Sequence, residues 1–132
     1  MPKFTFDPDG NSATLKLAQH VSLRLIVFKN HSEKVWEIDL GEMEGGIPYI
    51  EKKIFIKTPS VVDLKRESDV QIMDVYTNPD RSIGLHRYQI QIPLTGGELL
   101  VDYCIDFRSG SNQVIDLSGV YIGQGQFKRI SL

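Results

Sequence analysis

HRYQIQIPLTGGELLVDYCIDF, residues 86–107, is two alternating stretches joined through a glycine pair. In the first, Tyr88, Ile90 and Ile92 share one parity, with Arg87, Gln89 and Gln91 on the other. In the second, Leu99, Val101, Tyr103, Ile105 and Phe107 alternate with Asp102, Cys104 and Asp106. Successive side chains of an extended chain point to opposite faces, so a period of two specifies strands with one apolar face. The turn-forming residues of PLTGG separate the two stretches.

The same reading extends outward. VSLRL (21–25) puts Val21, Leu23 and Leu25 opposite Ser22 and Arg24, and WEIDL (36–40) puts Trp36, Ile38 and Leu40 opposite Glu37 and Asp39. Turn clusters recur at short intervals: DPDGNS, KNHSEK, GEMEGG, TPS, NPDRS and RSGSN. This pattern predicts an all-β fold over one domain, 1–132: an antiparallel β-sandwich of about eight to ten strands, with jelly-roll, C2 or immunoglobulin-like architecture. A closed β-barrel is the alternative, in which Tyr88, Ile90, Ile92, Val101, Tyr103 and Ile105 would line a ligand cavity instead of a packed core. The one helix expected is short, over 60–68, where Ser60 follows Thr58-Pro59 as N-cap and Asp63 stands at N3.

Composition narrows the function classes. Of 132 residues, 41% are hydrophobic and 24% charged, the balance of a chain that folds around a core. A net charge of −2 offers no basic excess for a phosphate backbone, so nucleic acid is not an expected partner. A single cysteine, Cys104, excludes an intramolecular disulfide. No apolar run has the length of a transmembrane helix, and MPKFTFDPDG has no signal-peptide apolar region, so a cytoplasmic location is expected. The glycosylation sequon Asn30-His31-Ser32 is read as coincidental on the same ground.

Asp7-Pro8-Asp9-Gly10-Asn11 places oxygen-bearing side chains where a calcium loop begins. The match then fails, because Ser12 stands where such a loop needs glycine and Ala18 where it needs a bidentate glutamate. The residues serve a tight turn equally well: Pro8 fixes φ, Asp9 and Asn11 bond nearby backbone, and Gly10 accepts positive φ. A second loop could still complete a calcium site, with Asp7, Asp9, Asn11 and Asp80 as its candidate ligands. Glu37 and Asp39 lie about 7 Å apart along one strand face, a spacing found in inverting glycosidases, but alternate charges are also what the water face of a strand carries. His20, His31 and His86 have no partner at metal-ligand spacing, and Cys104 would need a histidine, His86 being nearest in sequence. Gly123-Gln-Gly125-Gln lacks the third glycine of a dinucleotide fingerprint, since position 128 is lysine.

Two stretches break the alternation. Leu25-Ile26-Val27-Phe28 and Ile54-Phe55-Ile56 are apolar on both parities, which makes Ile26, Phe28 and Phe55 candidate interface residues. Segments 23–41 and 100–119 also resemble each other, each ending in Ile-Asp-Leu, with Tyr49-Ile50 and Tyr121-Ile122 beyond and Phe55 and Phe127 further on. A duplicated meander, or two hairpins with similar demands, accounts for this equally. The leading functional expectation is a non-catalytic binding or assembly module, acting through a sheet face or loop tips on a second copy or another protein. The alternatives are a carbohydrate- or lipid-binding sandwich, calcium-assisted, and a small-ligand barrel or an enzyme built on one.

Overall fold

A computed structural model describes residues 4–18, 21–29, 34–42, 49–77, 85–106 and 113–123. These form strands β1 (Phe4–Phe6), β2 (Ser12–Ala18), β3 (Val21–Phe28), β4 (Lys34–Glu42), β5 (Tyr49–Thr58), β6 (Gln71–Thr77), β7 (Leu85–Leu94), β8 (Gly97–Asp106) and β9 (Gln113–Gly123). They make two antiparallel sheets with strands in chain order, β1-β2-β3-β4-β5 and β6-β7-β8-β9. The β-sandwich is therefore present, with nine strands among the described residues. Its connectivity is two successive meanders joined by one crossing, simpler than the Greek-key paths of jelly-roll and immunoglobulin-like domains.

Alternation decides which side of each strand is inside. Leu23, Leu25 and Val27 of β3 lie across from Leu40, Ile38 and Trp36 of β4, and all are buried. In the second sheet Ile90 and Ile92 lie across from Val101 and Leu99, and Tyr88 stacks on Tyr103 at 5.2 Å between ring centroids. Residues of both sheets belong to one apolar cluster, including Leu15, Trp36, Ile90 and Val101. The closed barrel is not formed: the inward residues expected to line a cavity pack in the core, Ile90, Ile92, Val101, Tyr103 and Ile105 among its buried members. Near one corner β9 runs against β5, where a Cβ on Gly119 would collide with Ile56 Cδ1 and stand 3.4 Å from Ile54 Cδ1.

The segment between the sheets corrects the helix expectation. Among the described residues there is no α-helix, and of 60–68 only the end enters a single 3-10 turn, Glu67–Asp69. Val61, Val62 and Leu64 instead make apolar contacts, with Leu64 fully buried and its amide donating to Gly10 O at 2.9 Å. A core anchor and a tertiary backbone bond outweigh the weak preference of a short, Val-rich segment for helix. Ser60 caps nothing; its hydroxyl donates to Thr95 O at 3.2 Å. The carboxylate that receives the local amides is Asp69, which accepts from Lys65 and Arg66 N–H at 2.9 and 3.0 Å.

The two similar segments occupy corresponding roles, one hairpin in each sheet, β3-β4 and β8-β9. The likeness goes no further, because Tyr49 opens β5 whereas Tyr121 lies inside β9. Phe127 is outside the described residues. No helix among the described residues is long and apolar enough to cross a membrane.

Candidate functional site

The DPDGN turn connects β1 and β2. Gly10 N–H donates to Asp7 O at 3.0 Å, and Asp7 N–H donates to Ser12 O at 2.9 Å. Asp9 Oδ1 accepts the Asn11 amide at 2.9 Å, and Asp7 Oδ2 accepts the Ser12 hydroxyl at 3.0 Å. Gly10 carries φ 76°, and a Cβ there would stand 3.0 Å from Lys65 Cε and 3.1 Å from Asp63 Cβ, so the turn is fitted against the crossover. The carboxylates thus serve the turn's own hydrogen bonds. Lys29 lies close by, its ammonium 3.4 Å from Asp9 O and 2.7 Å from Asp63 Oδ1; this ammonium holds the exposed Asp63 carboxyl below the usual carboxylate range. Asp80, the fourth candidate calcium ligand, is outside the described residues, as are His20, His31 and the sequon at Asn30. Among the described residues no three His, Cys, Asp or Glu side chains gather as a metal-binding group.

Beside this turn lies an open groove of about 360 Å³. Phe6, Asp7 and Pro8 form one part of its lining, and Thr5, Ser12, Thr14 and Arg24 the other. Strand register explains the second part. Thr5 pairs with Thr14, Thr14 with Arg24, and Arg24 with Asp39, so one row of side chains crosses the outer face of the first sheet. Sequence inspection does not single out Arg24 or Thr14, because only the pairing of β1, β2 and β3 brings them to the turn.

Further along that row sits the feature with the most unusual electrostatics. Asp39 lies across from Arg24 on one side and Lys53 on the other, with Glu37 two residues away on the same face. Although it faces away from the core, Asp39 is only 2% exposed, and its Oδ1 has no hydrogen-bond partner. Burial raises its pKa from 3.8 to about 6, and a hydrogen bond and charge repulsion from Glu37 push the same way against Lys53 and Arg24. The Lys53 ammonium is 3.9 Å from Glu37 Oε2.

The next row holds Ser12, Ile26, Glu37 and Phe55. Phe55 is 61% exposed, whereas its neighbours Ile54 and Ile56 pack on the core. Ile26 and Phe28 are half-buried on the outer side, and Phe28 lies across from Val35. The candidate interface residues therefore share one sheet face. In the second sheet, register sets Arg87 across from the buried Cys104, while His86 is across from Ile105. Arg87 also reaches Asp116, at 3.9 Å. Gly125 and the residues after it lie outside the described part. No protein-family model matches the chain, and no curated protein and no solved structure matches it either.

Proposed function

We propose that this protein is a non-catalytic binding and assembly module that works through the outer face of its five-stranded sheet, and that the occupant of that face is a second copy of the chain. The observation that carries this reading is Phe55, 61% exposed on a strand whose Ile54 and Ile56 pack on the core. Ile26, Phe28 and Val35 extend the apolar surface across β3 and β4, and clustered apolar groups on a sheet's water face are characteristic of contacts. The charge pattern supports a like partner. The face bears Lys53 and Lys57 together with Glu37, so a copy rotated by a two-fold axis can set one sign against the other. A non-catalytic role is supported by the enclosure of Asp39, whose carboxyl cannot reach a substrate from a site 2% exposed.

Light scattering over a range of protein concentrations tests the proposal. The expected result is a dimer or larger species for the native chain and a shift to monomer for Phe55→Ser, which removes apolar surface without touching the core. A native chain that stays monomeric at every concentration overturns it.

A further inference from the structure

We infer that the groove beside the β1-β2 turn is a binding site for a neutral, polyhydroxylated ring, the chemistry of a saccharide, at the opposite edge of the sheet from Phe55. Its volume, about 360 Å³, is at the small end of the range for ligand sites. The lining selects the class of ligand. One guanidinium, Arg24, stands against one carboxylate, Asp7, so the groove has no net charge with which to hold an ion. What remains is a set of directed polar groups. The Arg24 guanidinium supplies donors, Asp7 supplies acceptors, and the Thr5 and Thr14 hydroxyls serve as either.

These groups are held in place. Asp7 is fixed through Oδ2 by the Ser12 hydroxyl at 3.0 Å, which leaves Oδ1 for another donor. Arg24 is held in register between Thr14 and Asp39. A hydroxylated ring matches this arrangement because adjacent hydroxyls can accept from a guanidinium and donate to a carboxylate together, charge-assisted bonds stronger than neutral ones. Pro8 completes the match by giving a small apolar wall to the C–H face of the ring, while Phe6 packs behind it against the core. The site needs no metal, and it uses Asp7 as a direct acceptor and not as a calcium ligand.

Backbone amide NMR with four probes, the methyl glycosides of glucose, galactose and mannose and free N-acetylglucosamine, tests the inference. At least one sugar is expected to shift the amides of residues 5–7, 12–14 and 24 saturably in the millimolar range. Arg24→Ala should weaken that binding about tenfold, in line with loss of a charged hydrogen bond. Thr14→Val, a milder change, gives a second reading if Arg24→Ala disturbs the fold, and should also weaken binding. Phe55→Ser should leave it unaltered, so failure here is separable from failure of the assembly reading. The inference is overturned if none of the four sugars gives saturable shifts, if both groove variants bind as the native chain does, or if inorganic phosphate alone shifts the same amides.

Discussion

Asp39 is turned away from the core and yet sealed from water between Arg24 and Lys53, with Glu37 beside it. The folded chain holds its proton to about pH 6, whereas the ordinary value is 3.8. The folded state is thus the stronger proton binder. Stability is fully present below the ordinary value, falls as pH rises from about 4 to past 6, and is level above that window. Asp39→Asn carries an amide that donates to Glu37 at every pH. It should therefore be more stable than the native chain at pH 7, by about 3 kcal/mol from the size of the shift, and equal to it near pH 4. Urea unfolding at several pH values measures both; a native profile with no slope between pH 4 and 6 would remove the account. None of this is legible in WEIDL, where period two assigns Asp39 to water. The enclosure comes from the long side chains that pairing brings to either side. Trp36 is the opposite case. Its inward parity is plain in the sequence, but the acceptor of its indole N–H, the Thr58 hydroxyl at 2.9 Å, is 22 residues away and known only from register.

Among the elements, β9 is the one whose placement rests on a missing side chain. Gly119 lets it lie against Ile54 and Ile56 of β5, and a methyl group there would force the Ile56 side chain aside. Gly119→Ala should cost about 1–2 kcal/mol, the range for modest overpacking, seen as a lower urea midpoint with an unchanged slope. A loss well under that would mean that the two strands part easily. The strands themselves were the legible part of the sequence. The described apolar residues on the inward parity of VSLRL, WEIDL, HRYQIQI and LLVDYCIDF, such as Leu23, Ile38, Ile90 and Val101, are buried, because the period fixes the face once one side is buried. The two-sided runs resolve in the same terms: Leu25 and Val27 go inward while Ile26 and Phe28 face out, and Ile54 and Ile56 go inward while Phe55 faces out. The segment 60–68 misled because its capping residues satisfy a local rule. Leu64 has a non-local role in the core, and the bond from its amide to Gly10 crosses more than fifty residues. The groove could not be read either, since Thr5, Asp7, Thr14 and Arg24 have no shared spacing and meet only through two strand pairings.

At the scale of the whole molecule, neither sheet owns its core. Leu15, Leu25 and Trp36 from the first and Ile90, Val101 and Tyr103 from the second form one cluster, with Leu64 between them in sequence. Each sheet alone would leave its apolar face in water, so the two should unfold together. The sole tryptophan, Trp36, reports on the first sheet. Its fluorescence and the far-ultraviolet circular dichroism of the strands of both sheets should follow one superimposable urea transition. A tryptophan signal that moves first would show two separate units. The order of strands along the chain has a further consequence during synthesis. The ribosome releases residues 4–58 before any of 71–123, so a complete five-stranded sheet emerges while its covering layer is still being translated. For that interval the nascent chain displays a broad oily surface with nothing of its own to cover it. Slow translation over the crossover would lengthen the exposure, and a holding chaperone would find its substrate in this half-built protein, not in the finished one.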